Sequence, residues 1–263
     1  MIRARGVGVD LGGRRVLDAV DVAVAAGELV AVLGPNGAGK STLARVLAGV
    51  LVPGAGEVVV GEAAIGSLTP AERARRVAYL PQGGSPAWPL TVARLVGLGR
   101  LPHLAPFSRI GPGDAAAIHA AMARADVLAL RDRTVTELSG GERARVLLAR
   151  ALAVQAPVLI ADEPLAALDP GHALGVMTLL RTEAARGVAV VAVLHELTMA
   201  ARFADRVVLL DCGRVVADGR PGTVLDAARL AAVYGIAAWH AVADGAPLLV
   251  PLRQVAGRAT ETP

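Results

Sequence analysis

The feature that most constrains this chain is a glycine-rich segment at residues 34–42, which reads Gly34-Pro35-Asn36-Gly37-Ala38-Gly39-Lys40-Ser41-Thr42. An apolar run typical of a buried strand precedes it at residues 28–33, and residues 42–50 have a helical pattern. The glycines let backbone N–H groups point inward, and the start of the helix adds partial positive charge. The spacing therefore predicts a loop that holds nucleotide phosphates, with Lys40 on the β- and γ-phosphates and the Ser41 hydroxyl on magnesium.

The use of lysine supports this interpretation. Lys40 is the only lysine in the chain, so the other 26 of its 27 basic residues are arginine. Arginine thus serves as the general surface cation. At position 40 the chain keeps a compact ammonium on a flexible stem, which the planar fork of arginine does not reproduce.

Composition excludes several other classes of site. The net charge is +4, but arginines are scattered among acidic residues and aromatic residues make up only 2%, which argues against nucleic acid as a partner. A single cysteine, Cys212, excludes an internal disulfide framework and a cysteine-based zinc site. The remaining histidines apart from His195 show no metal-ligand spacing; they are His103, His119, His172 and His240.

The apolar segments are too short to span a bilayer. Apolar residues make up 54% of the chain, yet no uninterrupted run reaches the roughly 20 residues that a spanning helix needs. The first five residues lack the apolar core of a signal peptide. Both observations predict a cytoplasmic location.

Strand and helix patterns alternate along most of the chain, which predicts an α/β fold with a parallel sheet. Residues 2–24 alternate apolar and polar around Gly12-Gly13 and predict an N-terminal antiparallel hairpin. Residues 83–153 are rich in glycine and proline and then in alanine, with a helical pattern at 114–130, and predict a mostly helical insertion. The tail at 257–263 is expected to be disordered.

Two acids follow another apolar run. Residues 158–161 predict a buried strand that ends at Asp162 and Glu163. At the end of this strand Asp162 could hold magnesium, directly or through water. Glu163 points elsewhere and could polarise an attacking water.

The segment Leu138-Ser139-Gly140-Gly141-Glu142 precedes a helical stretch rich in arginine and leucine. Ser139 and Glu142 have the spacing of a capping box, which is a purely structural device. A helix start with two glycines can also bind phosphate closely, so a second anion site is the functional alternative.

Taken together, these motifs resemble the ATP-binding cassette (ABC) ATPases over nearly the full length of the chain. The resemblance implies a P-loop NTPase (RecA-like) core lobe at about 1–82 and 154–235, a helical subdomain at about 83–153 and a C-terminal extension at about 236–263, within a single domain. In that family two cassettes dimerise head to tail. It follows that Ser139, Gly140 and Gly141 act in trans on the γ-phosphate of ATP that the other copy holds.

Further positions take roles from the same resemblance. Gln82 resembles the Q-loop glutamine, which contacts magnesium or the attacking water and senses the membrane partner. His195 resembles the switch histidine that contacts the γ-phosphate, and Asp169 the D-loop aspartate that bridges two subunits. Taken alone, a glutamine after a strand, such as Gln82, is more often an ordinary loop residue, and a histidine at a strand end, such as His195, is more often structural.

Two positions depart from the family pattern. Ala167 stands where the family more often has serine, which removes one hydrogen bond between subunits. The adenine base usually stacks on an aromatic residue in the first hairpin, where this chain has Leu11 or a neighbour and no aromatic residue before Tyr79. An apolar side chain covers a base with less stacking energy.

The segment between Gln82 and Ser139 indicates the direction of transport. Trp88-Pro89-Leu90-Thr91-Val92 and Leu98-Gly99-Arg100-Leu101-Pro102-His103 resemble the importers of iron chelates (siderophores), haem and cobalamin. The absence of a fused membrane domain and of a long extra C-terminal domain is also expected of such an importer. The implied partners are a second cassette, polytopic permease subunits and, indirectly, a substrate-binding protein, with the chain peripheral at the cytoplasmic face of the membrane.

Three alternatives stay open. An exporter cassette shares the same motifs. A soluble ABC ATPase acting on DNA or ribosomes usually has two cassettes or a long coiled-coil insertion, and neither occurs here. A P-loop kinase or GTPase would not need residues 138–142.

Overall fold

The computed structural model describes residues 1–83, 89–105, 108–243 and 245–255. In these ranges the strands are β1 Ile2–Leu11, β2 Arg14–Val24, β3 Leu29–Leu33, β4 Ala55–Val60, β5 Ala63–Ala64, β6 Val77–Leu80, β7 Val158–Asp162, β8 Ala189–Val193, β9 Arg206–Asp211, β10 Arg214–Gly219, β11 Ile236–Ala243 and β12 Ala246–Gln254. The α-helices are α1 Lys40–Leu47, α2 Pro70–Arg76, α3 Val92–Gly97, α4 Pro112–Arg124, α5 Gly140–Ala153, α6 Pro170–Ala185, α7 Leu197–Phe203, α8 Pro221–Val224 and α9 Ala227–Arg229.

The central sheet has the strand order β10-β9-β3-β8-β7-β6. Its strands are parallel except β10, which pairs antiparallel with β9 at the edge. Every residue of β3, β7 and β8 is buried, as expected of short apolar strands covered on both faces. The predicted α/β fold is confirmed, and the parallel pairing brings the carboxyl ends of β6, β7 and β8 to one edge.

A second, antiparallel sheet has the order β2-β1-β4-β5. β1 and β2 form the predicted hairpin, and both turn residues, Gly12 and Gly13, have positive φ angles of 57° and 79°. Glycine adopts this conformation without steric cost. The buried side chains of the hairpin form one core with the face of the central sheet that carries Val30 and Val32.

Three helices, α3, α4 and α5, lie between β6 and β7 along the chain. Their buried residues, such as Val96, Met122 and Leu148, belong to the core on the opposite face of the central sheet, with Leu29 and Leu33. The helical character predicted for 83–153 therefore holds for these helices. The assignment of 1–82 with 154–235, 83–153 and 236–263 to separate units stays a prediction.

Two helix boundaries differ from the sequence prediction. α1 begins at Lys40, two residues before the predicted residue 42, directly after Gly39 with its left-handed φ of 98°. It ends at Leu47 instead of 50, since Gly49 has a left-handed φ of 66°. The helix predicted at 114–130 ends at Arg124. Asp126 has a positive φ of 54°, which an α-helix does not accommodate.

The antiparallel hairpin of β11 and β12 was not predicted. β11 is rich in alanine, which has low strand propensity, so its sequence carries a weak strand signal. Leu249 of β12 is buried, and the Thr198 hydroxyl of α7 donates to its carbonyl. The tail at 257–263 lies outside the described residues.

None of the helices within the described ranges has both the length and the apolar character needed to cross a bilayer.

A buried carboxylate connects two helices that are far apart in sequence. Glu183 of α6 is 1% exposed and accepts from Arg124 Nη1 of α4 at 2.7 Å and from Arg186 Nη1 at 2.8 Å. Arg124 Nη2 also donates to the Leu152 carbonyl at 3.3 Å. Because the carboxylate is withdrawn from water, its partners offset a desolvation cost of several kcal/mol.

We expect Arg124→Ala to lower the free energy of unfolding by about 2 kcal/mol, because it removes a charged partner from a buried carboxylate. Urea titration at neutral pH measures the change. Arg131→Ala is the matched control, since Arg131 pairs with Asp132 where both side chains are more than half exposed, and it should change stability by less than about 0.5 kcal/mol. Equal effects of the two substitutions would contradict the assignment.

Candidate functional site

The loop at residues 34–39 leaves β3 and enters α1, as the sequence predicted. Lys40 is only 6% exposed, and its Nζ donates to the Gly34 carbonyl at 2.8 Å and to the Pro35 carbonyl at 3.0 Å. The ammonium is thereby held across the curled loop. Burial lowers the pKa of Lys40, while the nearby carboxylates of Glu163 and Asp162 oppose that shift.

The N-terminus of α1 has no side-chain cap and no acidic residue in its first turn. Its first N–H groups are therefore available to an anion. Gly39 cannot be replaced here without strain, because a Cβ atom would lie 2.7 Å from Leu17 Cδ2 and 2.9 Å from the Val16 carbonyl oxygen. The hairpin thus presses against the loop and fixes its shape.

A cavity of about 200 Å³ lies over this loop and brings in residues from four parts of the chain. Its lining consists of Val16, Asn36, Gly37, Gly39, Lys40, Ser41, Thr42, Glu163 and His195. The structure therefore places Glu163 and His195 beside the phosphate loop. Pro35 and Ala38 belong to the same loop without lining the cavity.

The apolar residue from the hairpin that borders this cavity is Val16 of β2. Leu11, at the end of β1, is 44% exposed and does not belong to the lining. Sequence reasoning missed Val16 because it carries only the ordinary signal of a strand residue. A β-branched side chain at this place offers apolar contact without aromatic stacking.

Asp162, the last residue of β7, lies next to the start of α1. It is 1% exposed, and Ser41 Oγ donates to its Oδ1 at 3.0 Å. Burial raises the pKa of Asp162, and the hydrogen bonds from Ser41 and Tyr79 act in the opposite direction. A carboxylate and a hydroxyl oxygen in contact are the donor set that a magnesium ion prefers beside phosphate oxygens.

Tyr79 is a further member of this site that sequence reasoning missed. Its hydroxyl donates to Asp162 Oδ2 at 3.2 Å from the neighbouring strand β6. Burial is the largest cause of a raised pKa for Tyr79, so the phenol remains a donor at neutral pH. The contact depends on β6 pairing with β7, which no local pattern reveals.

Glu163 forms the centre of a three-residue cluster. Its Oε2 accepts from Gln82 Nε2 at 2.6 Å, and its Oε1 accepts from His195 Nε2 at 2.7 Å. Gln82, Glu163 and His195 follow β6, β7 and β8, which are adjacent in the sheet. Gln82 and His195, which are 113 residues apart in the sequence, thus contact the same carboxylate.

The backbone of Glu163 explains why its side chain diverges from that of Asp162. Its φ is 51°, a left-handed value that is uncommon for a residue with a side chain. The Glu163 N–H donates to the Val193 carbonyl at the end of β8 at 3.1 Å, which anchors this conformation. Such strain is typical of functional sites.

The segment 138–142 lies away from the phosphate-loop cavity. Ser139 and Glu142 form the predicted capping box, in which Glu142 Oε2 accepts from the Ser139 N–H at 2.8 Å and Ser139 Oγ from the Glu142 N–H at 3.2 Å. Gly140 borders a different cavity, of about 230 Å³, together with Asp162, Glu163 and Ala167. No residue of 138–142 lines the cavity that holds Lys40, as far as the chain is described.

Asp169 begins α6 as its N-cap, and its Oδ1 accepts from the His172 N–H at 2.9 Å. That backbone hydrogen bond is the main cause of a lowered pKa for Asp169. Ala167, two residues earlier, has a left-handed φ of 59°. The turn containing both residues is therefore sharply bent, although Ala167 stands where serine is more frequent in the ABC ATPases.

In sequence, the chain is similar to known proteins over nearly its whole length. The family model described as ABC transporter matches residues 17–166. The hemin import ATP-binding protein HmuV of Nocardia farcinica is 48% identical, over 96% of this chain and 89% of that protein. The cobalamin import ATP-binding protein BtuD of Halobacterium salinarum is 43% identical, over 98% of this chain and 65% of that protein.

Similar solved structures support the same relationship. A transporter described as of the metal-chelate type, in an inward-facing conformation, has a TM-score of 0.84 at 26% identity, over 96% of this chain and 97% of that chain. A dimeric cassette in a post-hydrolysis state, bound to ADP and Pi, has a TM-score of 0.72 at 27% identity, over 84% of this chain and 99% of that chain.

We expect Tyr79→Phe to raise the pKa of Asp162, because it removes a hydrogen bond that favours the ionised carboxylate. The folded pKa of this acid already lies above its unfolded value, so ionisation costs stability as pH rises through it. The variant should therefore lose about 2 kcal/mol of unfolding free energy above that pKa and less below it.

Carboxyl NMR of the ligand-free chain, with urea titrations at two pH values, measures both effects. Tyr234→Phe is the matched control, since the hydroxyl of Tyr234, on the short helix Leu230–Tyr234, interacts with the Gly34 backbone and not with Asp162. An unchanged Asp162 pKa in Tyr79→Phe would show that this hydrogen bond does not act on the carboxylate.

Proposed function

Because this chain belongs to the ABC transporter family and is an ABC ATPase, we propose that it energises an importer of an iron chelate (siderophore), haem or cobalamin through a separate membrane subunit. The observation that carries the proposal is the cluster of Gln82, Glu163 and His195 beside the loop of Lys40. The similarity to HmuV and BtuD, whose names specify hemin and cobalamin import, supports this class of solute.

ATP is the substrate, and the phosphate loop binds it through its backbone N–H groups and Lys40. Gly34, Pro35, Asn36, Gly37, Ala38 and Gly39 supply the loop, and Thr42 extends it into α1. Val16, which lines the cavity, would cover one side of the base. Contact with an apolar β-branched residue gives less discrimination between adenine and guanine than stacking does.

The residues present also fit magnesium. Ser41 Oγ and Asp162 Oδ1 lie 3.0 Å apart, and Gln82 donates to Glu163, the residue after Asp162. Within the described ranges no group of three His, Cys, Asp or Glu side chains could hold a metal by itself. The site therefore suits an ion that takes few protein ligands and completes its shell with phosphate oxygens and water, as magnesium does. Magnesium would neutralise charge that develops on the phosphates.

Hydrolysis then depends on Glu163. Its carboxylate accepts a proton from a water aimed at the γ-phosphate, while the left-handed backbone directs it away from Asp162. Gln82 and His195 hold the two carboxylate oxygens and so fix the direction in which the base acts. His195 also reaches the phosphate-loop cavity, where it can contact the γ-phosphate.

One copy of the chain holds only half of the site. Ser139, Gly140 and Gly141 lie outside the cavity that contains Lys40, yet they stand at the start of a 14-residue helix, whose N-terminus carries partial positive charge. A head-to-tail homodimer brings these residues and Asp169 of one copy onto the nucleotide of the other. The similarity to a dimeric cassette with ADP and Pi supports this arrangement.

A second groove fits the membrane subunit. It has a volume of about 460 Å³ and is lined mostly by apolar residues of α2, β6 and α5 and of the segments that follow α1 and α3, among them Val50, Leu98, Leu101 and Pro102. Leu98 and Leu101 are 41% and 59% exposed. A short helix of a polytopic permease can bury these side chains, and we therefore expect the chain to lie at the cytoplasmic face of the membrane. Trp88 of the same sequence segment lies outside the described residues.

Tyr79 lines this groove as well. Its ring therefore faces the docking groove while its hydroxyl contacts Asp162 at 3.2 Å. Docking and nucleotide binding thus share one side chain, which offers a direct physical route between the permease and the ATP site.

We expect Glu163→Gln to lower the ATPase rate by at least about 100-fold, because it removes the base while keeping the size and shape of the side chain. ATP binding should persist, and an ATP-bound dimer should accumulate in size-exclusion chromatography. Lys40→Ala is the control, in which nucleotide affinity is lost and no dimer forms. A normal ATPase rate in Glu163→Gln would exclude Glu163 as the base, and normal ATP affinity in Lys40→Ala would overturn the phosphate-loop assignment.

The partner is tested by co-purification. The tagged chain should be recovered with a polytopic membrane protein from detergent-solubilised membranes, and Leu101→Asp should weaken that recovery by about 30-fold through loss of apolar contact. Val216→Asp is the matched control, at a surface position of β10 that is 47% exposed. It should leave the recovery of the membrane protein unchanged. Co-sedimentation with ribosomes instead would favour the soluble alternative.

A further inference from the structure

His172, near the start of α6, contacts two segments that are separate in sequence. Its Nδ1 lies 2.5 Å from Asp169 Oδ2, and its backbone N–H donates to Asp169 Oδ1 at 2.9 Å. The first contact belongs to the ring and the second to the backbone. The backbone bond alone completes the helix cap, so the ring is not needed for capping.

The other side of the ring faces Gly141, the second glycine of the segment 138–142. A Cβ atom built on Gly141 would lie 2.3 Å from His172 Cδ2 and 2.4 Å from its Cγ. Such distances are far inside van der Waals contact, so the imidazole occupies the space that any side chain at 141 would need. Gly140 differs, since a Cβ there would meet only the Ala167 carbonyl at 3.9 Å.

The imidazole therefore fills the gap between the turn at residues 167–169 and the start of α5. Ala167 is in a left-handed conformation, and alanine lacks the hydroxyl with which a serine could hold the turn. A ring that bonds one segment and packs on the other transmits displacement of either to its neighbour.

We propose that His172 is a positioning residue that holds Asp169 and the glycines of segment 138–142 in one subunit as a single unit, so that both reach the partner's nucleotide together. This inference rests on the proposed head-to-tail dimer. His172 itself touches neither the nucleotide nor the reacting atoms of its own subunit, since it does not line the cavity of Lys40. Its effect is confined to closing the site of the other copy.

The test uses the full chain with Glu163→Gln, in which hydrolysis no longer removes the ATP-bound dimer. Dimerisation is measured by analytical ultracentrifugation with MgATP, and nucleotide affinity of the monomer with a fluorescent ATP analogue at low protein concentration. We expect His172→Ala to weaken dimerisation by at least about ten-fold, within the usual range of coupling between sites. Monomer affinity should change by less than about two-fold.

Two further variants separate the two contacts. His172→Phe keeps a ring over Gly141 and removes the donor to Asp169, whereas His172→Asn keeps a donor and removes most of the packing. Because the coupling needs both contacts, neither should restore dimerisation to the level of the parent. His119→Ala is the matched control, since His119 is exposed on α4 away from both segments, and it should behave like the parent.

The outcomes are distinct. Full dimerisation in His172→Ala, or recovery of the parent level by either His172→Phe or His172→Asn, overturns the inference, because His172 would then serve at most one segment. Loss of monomer nucleotide affinity in His172→Ala also overturns it, since the residue would then support its own subunit's site. Failure of Glu163→Gln alone to dimerise with MgATP counts against the proposed function instead.

Discussion

The parallel pairing of β6, β7 and β8 is the constraint on which the site depends. Parallel strands end at the same edge of a sheet, so the residues that follow them meet in space even when they are far apart in the chain. Gln82, Glu163 and His195 come together in this way, with Glu163 hydrogen-bonded to both neighbours. The phosphate loop follows the central strand β3, which pairs directly with β8, and so lies at the same edge. The chemistry is thus assembled by sheet order and not by local sequence.

The site is electrostatically incomplete without its ligands. Lys40 and Asp162 are 6% and 1% exposed, and burial shifts both pKa values against the charged form. Withdrawing an ion from water costs several kcal/mol unless it is paired. In the free chain, Lys40 is held by two loop carbonyls and Asp162 by two hydroxyls. In the proposed function, the polyanionic nucleotide would supply opposite charge to Lys40, and magnesium would supply it to Asp162.

Two side chains connect this site to surfaces beyond it. Tyr79 lies between the apolar groove and Asp162, and His172 between Asp169 and Gly141. Tyr79 joins the proposed docking groove to the phosphate-loop site, and His172 joins two segments that are proposed to reach the nucleotide of the partner copy. Both are short-range contacts between rigid elements, the kind of contact that converts a small shift at one surface into a shift at another.

The sequence by itself determined the local parts of this protein. Residues 34–42 specify a phosphate loop, apolar runs specify β3, β7 and β8, and Ser139 with Glu142 specifies a helix start, because each depends on the conformation of a few adjacent residues. Only the tertiary structure placed Tyr79 on Asp162, Val16 over the loop, His172 against Gly141 and the β11–β12 hairpin beside α7. These contacts depend on strand order and on helix packing between distant segments, and neither produces a periodic pattern in the local sequence.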